Sequence, residues 1–224
     1  STIRTVSYAQ YYILINNVHD IKEAINFVKS KKINFKIFGN GSNILFSKKY
    51  YDDILFMQLG NSFKKIKFYN NYVEIGGSYS LIQAGRKLIN AGYGDYIFFN
   101  LIPATIGGAV RQNAGTGEGE EIKDVCKSCL VYDIKESRTK ELTLKELEFD
   151  YRASIIKKYP NRYIIISAKF KLNNKNKNIE KLVVNMKNRV KEKLEREPKG
   201  YCFGSTFVNN KMSAWKYVDS IYKE

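Results

Sequence analysis

A chain of 224 residues with 44% hydrophobic residues, 17 Tyr and 13 Phe can build one large domain or two modest ones, which excludes a disordered polymer. The net charge of +16 admits nucleic acid or another polyanion as partner, but the basic residues are spread along the whole sequence among abundant Asn, Ile and Tyr, as AT-rich coding produces. No apolar stretch reaches the roughly 18 uninterrupted residues of a membrane span, since the richest, Tyr96 to Val110, is broken by Asn100, Pro103 and Gly107-Gly108.

The opening reads strand, helix, strand. "YYILIN" is an apolar β-forming run, and "DIKEAINFVKSKK" places Ile21, Ala24, Ile25 and Val28 at helical spacing behind Asp20, which suits an N-cap. His19 reads as a surface residue at that helix start. "NFKIF" forms the second strand and runs into "GNGSNIL", where Gly39 and Gly41 flank a single Asn. A second region from Tyr51 carries "DDILFMQLG", "FKKIKFYNN" and "YVEIGGS" as strands, then "SLIQAGRKLINAGYG" as a helix closed by Gly92 and Gly94. Further strands are expected at "KSCLVYDI", "TKELTL" and "RYIIISAKFKL", followed by the polar loop "NNKNKN" and a last long helix, "IEKLVVNMKNRVKEKLERE". The class is α+β.

Cys126 and Cys129 form a CxxC, but inside a strand-like run, with only Cys202 and His19 left as further soft ligands, so neither a zinc site nor a thioredoxin-like centre is supported. Three cysteines and no charged-then-apolar leader lead us to expect a reducing, cytoplasmic setting.

The element "IPATIGGAVRQNAGTGEGEE", residues 102–121, concentrates five glycines with Pro103, Gln112 and Asn113. Each glycine costs conformational entropy, and backbone amides free of side-chain cover are what a pyrophosphate or a flavin edge requires. Two such elements in one small protein point to a nucleotide-type ligand. Neither is a Walker loop, since GxxxxGK[ST] is absent, and "GNGSNI" is no dinucleotide fingerprint because Ile44 stands at the third glycine position. Ser42 has no base beside it and reads as a hydrogen-bond donor, not a nucleophile.

These stretches carry a resemblance. "GNGSNIL" is similar to the GGGSN[LI]L loop of the UDP-N-acetylenolpyruvoylglucosamine reductases, the MurB family, short type. "IPATIGGAVRQNAG" resembles that family's IPG[ST][VI]GGAVxQNAG, "FDYRASII" its YRxS motif, and "EREPKGYCFGSTFVNN" its RQPxxxPSAGSxFKNP stretch, all in the family's order. The resemblance implies a two-subdomain FAD-binding fold of the vanillyl-alcohol oxidase/PCMH type, followed by a shortened C-terminal α/β substrate domain. The expected divisions are 1–50, 51–172, a linking helix 173–197, and 198–224 as the start of the substrate domain.

It also implies cofactors FAD and NADPH, a UDP-sugar substrate, no nucleic acid or membrane partner, and a monomer. Gly39, Asn40, Gly41, Ser42 and Asn43 would lie on the FAD diphosphate, with Pro103, Ala104, Thr105, Gly107, Gly108, Gln112, Asn113 and Gly115 close to the flavin. Arg152 of YRxS would stabilise an enol(ate), Ser205 would donate the proton, and Tyr151 and Lys216 would bind substrate. A fixed guanidinium suits developing carboxylate-type charge, and serine serves as an acid only beside a strongly basic enolate. The sequence departs from the family at Ala104 for the Gly of IPG and at Asn209-Asn210 for Asn-Pro. The N-terminal GGPA turn and the C-terminal Glu that pairs with the Arg find no counterpart. Two readings follow: an FAD-dependent reductase of peptidoglycan precursor synthesis, or a flavin-binding relative without that activity or completed by a partner. A basic RNA-binding protein is a third, unsupported by any RNP-like, KH-like or zinc signature.

Overall fold

Strand β1 (Tyr8–Ile15), helix α1 (Val18–Lys31) and strands β2 (Asn34–Ile37) and β3 (Tyr50–Leu59) open the chain. The computed structural model describes residues 2–197, 199–202, 204–205, 207, 209 and 214–222, the side chains at 215 and 222 excepted. The three strands form a parallel sheet in the order β1-β3-β2. β3 therefore belongs with the strands before it, although the sequence groups it with those that follow. Its run Leu55-Phe56-Met57 is buried on successive residues, which suits the central strand of a parallel sheet covered on both faces.

Helix α1 buries Ile21, Ala24, Ile25 and Val28 as its spacing predicts. Its N-cap is Asn17, not Asp20: Asn17 Oδ1 accepts from Asp20 N at 3.1 Å, and Asp20 Oδ2 accepts from Asn17 N at 3.2 Å. Asp20 is thus the third-turn-residue partner of a capping box, a position its short carboxylate fills as well as it would the cap itself.

The second sheet is antiparallel, in the order β4-β5-β8-β6-β7, from β4 (Ile66–Phe68), β5 (Tyr72–Gly76), β6 (Cys126–Asp133), β7 (Arg138–Thr143) and β8 (Tyr163–Lys171). Helix α2 (Leu81–Asn90), a 3-10 segment over Gly94–Leu101, helix α3 (Ile106–Gln112) and short helix α4 (Ile122–Val125) lie between β5 and β6 in sequence. α5 (Ile155–Lys158) precedes β8, and α6 (Ile179–Arg196) and α7 (Ala214–Tyr222) follow it.

β8 joins the two halves. Tyr163 and Ile165 face a core with Leu81, Leu88, Phe99 and Ile106, whereas Ile164 and Ile166 face the core built on α1 and the first sheet. Period-two alternation sends successive side chains to opposite faces, and both faces are covered. That is why "YIIIS" reads as an unbroken apolar run. The CxxC lies in β6 as the sequence suggests. Both thiols are buried and free, and burial pushes Cys126 up to about 12 and Cys129 well above its ordinary value, so neither forms thiolate at neutral pH. Among the described residues no three His, Cys, Asp or Glu side chains converge as for a metal ion, and no helix is long and apolar enough to cross a membrane.

Candidate functional site

The glycine-rich element contains a helix that its composition hides. Thr105 caps α3, its Oγ1 accepting from Gly108 N at 3.2 Å, and Asn113 closes it in the left-handed region at φ 42°. Gly107 lets the helix sit against the end of β5: its N–H donates to Gly77 O at 2.9 Å, and an added Cβ would lie 3.1 Å from that oxygen. Gly39 answers to the protein as well, because a Cβ there would meet Thr105 Oγ1 at 2.3 Å. Contact between the two glycine elements therefore depends on Gly39 lacking a side chain.

Together they line a cleft of about 1910 Å³. Gly39, Asn40, Gly41, Ser42 and Asn43 form one wall; Pro103, Ala104, Thr105, Gly107 and Gly108 form another; Gln112, Gly115, Tyr151, Arg152 and Ser205 also reach it. The cleft has a feature that fits a diphosphate. The N–H groups of residues 39–43 donate to no described residue, while the loop is held through its carbonyls by Gln58 Nε2 on Gly39 O at 2.9 Å and Thr2 N on Gly41 O at 3.2 Å. With Gly41 at φ 69°, this is a concave run of open amides of the kind that accepts phosphate oxygens. The segment carrying Ser205 abuts it, since a Cβ on Gly204 would lie 3.6 Å from Asn43 Oδ1.

Two expected residues stand elsewhere. Asn113 is fully buried and does not line the cleft. Its Nδ2 donates to Glu121 Oε2 at 3.0 Å and Asp150 O at 2.9 Å, and its Oδ1 accepts from Lys123 N at 3.0 Å, so the amide serves as an internal strut. Lys216 is exposed on α7, a helix whose Ala214, Val218 and Asp219 line the cleft while Lys216 does not. Asn210 and Glu224 lie outside the described residues.

Arg152 lines the cleft beside Tyr151. It sits in a turn at φ 52°, its guanidinium stacked 4.9 Å from the Tyr151 ring centre. Nη1 donates to Glu121 Oε1 at 2.9 Å and Asn113 O at 3.2 Å, and Nη2 to Gly115 O at 2.8 Å. Three of its five N–H groups are thus taken by the protein, leaving the Nε–H and one Nη2–H. Glu121 also meets Lys123 Nζ at 3.0 Å. The rest of the loop is pinned by α6: Arg189 bonds Glu118 and Glu120, and Arg196 bonds Glu118. Sequence reasoning missed Glu121, Gln58, Gly77, Arg111 and Lys157. The double glycine of "YVEIGGS" was a usable signal for Gly77, while the others carry none.

Residues 9–142 match the FAD binding domain family. The UDP-N-acetylenolpyruvoylglucosamine reductase of Francisella tularensis is 33% identical over 177 residues, covering 79% of this chain and 61% of that protein. The UDP-N-acetylenolpyruvoylglucosamine reductase 1 of Bacillus cereus is 29% identical over 211 residues, covering 93% and 68%. This chain thus spans only part of the length of these relatives. Among solved structures, UDP-N-acetylenolpyruvylglucosamine reductase (MurB) from Thermus caldophilus superposes with a TM-score of 0.78 at 23% identity, over 94% of this chain and 73% of that one. The 6-hydroxy-D-nicotine oxidase of Arthrobacter nicotinovorans shares the fold more distantly, with a TM-score of 0.53 at 11% identity over 75% of this chain and 37% of that one. The architecture is the α+β FAD-binding fold of the vanillyl-alcohol oxidase/PCMH type. The chain belongs to the FAD binding domain family, and its relatives there are the UDP-N-acetylenolpyruvoylglucosamine reductases.

Proposed function

We propose that this chain is an FAD-dependent reductase that uses NADPH to reduce the enolpyruvyl double bond of UDP-N-acetylglucosamine enolpyruvate, giving UDP-N-acetylmuramate for peptidoglycan precursor synthesis. The observation that carries this reading is that the open amides of residues 39–43, the α3 glycines, Arg152 and Ser205 all line one cleft. FAD, when bound, supplies the hydride transfer between the two reactants. The amides of Gly39 to Asn43 would hold its diphosphate, and Pro103, Ala104, Thr105, Gly107, Gly108, Gln112 and Gly115, all lining the cleft, would lie along its ring system.

Arg152 faces the charge that develops on the enol(ate). Its remaining Nε–H and Nη2–H are presented in a fixed direction because Glu121, Asn113 O and Gly115 O already hold the other three, so no reorganisation is needed at the moment of reaction. Ser205 delivers a proton to the neighbouring carbon. A hydroxyl does this only to a strongly basic carbon, which the enolate is. Tyr151, which lines the cleft, contacts the UDP-sugar. The protein acts as a cytoplasmic monomer.

The test begins with the flavin spectrum of the purified protein and then NADPH oxidation with and without UDP-N-acetylglucosamine enolpyruvate. Ser205→Ala should slow reoxidation of reduced flavin by substrate and leave reduction by NADPH unchanged; equal loss in both half-reactions removes the proton-donor role. Glu121 favours a second reading, a flavin-binding relative without this activity or one completed by a partner, because it already opposes the Arg152 charge. Bound FAD with no substrate-dependent turnover selects that second reading.

A further inference from the structure

Five cationic side chains line the cleft: Arg111, Arg152, Lys157, Lys193 and Arg196. Three are paired with a carboxylate, Arg152 with Glu121, Lys193 with Glu197 and Arg196 with Glu118. The other two have none among the described residues. Arg111 lies in the last turn of α3, half-buried, with its carbonyl accepting from Ser154 Oγ at 2.7 Å and its guanidinium unbonded by any described residue. Lys157, on α5, is half-buried too, and its Nζ makes one bond, to Arg152 O at 2.7 Å. Two neighbouring cations removed from water without a counter-charge are costly, and the cost shows in both groups. Burial lowers the Arg111 guanidinium from its ordinary range, and burial followed by the Arg111 charge lowers Lys157.

We infer that Arg111 and Lys157 form a phosphate subsite of the cleft, which takes a dianionic phosphate or diphosphate group of a nucleotide ligand. The charge decides the class. A carboxylate would offset one of the two cations, and a doubly charged phosphate group offsets both, with the planar guanidinium fork and the two remaining ammonium N–H groups as donors. The subsite adjoins Arg152 through the Lys157 bond to its carbonyl, so a ligand phosphate held there brings the rest of the molecule to the reacting end of the cleft. The three nucleotides used as probes rest on the proposed function; the phosphate chemistry does not.

The test measures, by calorimetry on the full chain with excess FAD, the binding of pyrophosphate, UDP, NADPH and NADH to the parent protein, Arg111→Gln and Lys157→Gln. Pyrophosphate should bind the parent and weaken at least about tenfold in each variant, with FAD content and melting temperature retained. A parallel loss for UDP with the NADPH-over-NADH preference intact assigns the subsite to the sugar nucleotide. Collapse of that preference assigns it to the reductant's extra phosphate. Unchanged affinities for pyrophosphate, UDP and NADPH overturn the inference, and so does a loss confined to FAD. Should Arg111→Gln not fold, Lys157→Gln and Arg111→Lys give the same contrast, with Arg111→Lys, which keeps the charge and loses the planar fork, expected between the parent and Lys157→Gln. A protein that binds pyrophosphate as described but shows no flavin or turnover loses the proposed function while keeping the subsite.

Discussion

The loop from Gly39 to Asn43 is anchored through its carbonyls, and its own amides donate to no described residue. The stretch from Thr105 to Glu121 is built the other way, with polar groups turned inward. Thr105 caps α3, Asn113 uses its whole side-chain amide on Glu121, Asp150 and Lys123, and Glu121 holds Arg152. Both are glycine-rich and both line one cleft, yet one presents unused donors and the other a rigid side-chain web. Glycine content alone does not distinguish a ligand cradle from a scaffold. The destination of the backbone and side-chain hydrogen bonds does.

That contrast breaks most directly at Asn113. Replacing it with Ala removes three hydrogen bonds from a fully buried site and the residue best suited after glycine to φ 42°, so unfolding in urea should show a loss of about 3 kcal/mol. The counterpart in the open loop, Asn43→Ala, should stay within about 0.5 kcal/mol of the parent and weaken FAD binding instead. A loss below about 1 kcal/mol for Asn113→Ala would mean that the web is not what holds the second element. The contact between the two elements is probed by Gly39→Ala, whose methyl must displace Thr105 Oγ1. The expected cost is about 2 kcal/mol, and combining it with Thr105→Ala should recover part of that loss, a coupling that a double-mutant cycle measures.

The fold was legible where burial is simple. Helix α1 and the strands of the second sheet followed from apolar spacing, because each presents one face, or two, to a core that the chain fills itself. β3 was grouped wrongly because sheet membership is a long-range choice that no local spacing encodes. Helix α3 was hidden by Gly107 and Gly108, whose low helix propensity is overridden by the Thr105 cap and by close approach to Gly77. Most of the cleft lining was legible too, since residues 39–43 and 103–108 announce themselves by composition. The partner of Arg152 was not. Glu121 lies 31 residues away, no local spacing ties it to Arg152, and only the fold brings its Oε1 to 2.9 Å.

The outer ties of the second element separate by how far each is withdrawn from water. Arg189 has only 20% of its side chain exposed and bridges two carboxylates, so Arg189→Gln should cost about 1 kcal/mol at neutral pH. Bonds from Arg196 and then Arg189 hold the Glu118 carboxyl below its ordinary value of 4.5. A group depressed on folding stabilises the protein above its unfolded pKa and loses that contribution as pH falls through the folded one. The parent and Arg189→Gln should therefore differ at pH 7 and converge as pH falls past the ordinary value of 4.5 and through the depressed folded one, which thermal melts on either side would read. Lys123→Met is the mildest change. Its ammonium shares Glu121 with Arg152, but its side chain is 45% exposed against 24% for Arg152. Solvent already screens the lysine, and the carboxylate keeps its bonds to Arg152 and Asn113 when the lysine is gone. The expected loss is under about 0.5 kcal/mol. A larger one would show that Glu121 needs both cations, and would move the centre of the web from Asn113 to Glu121.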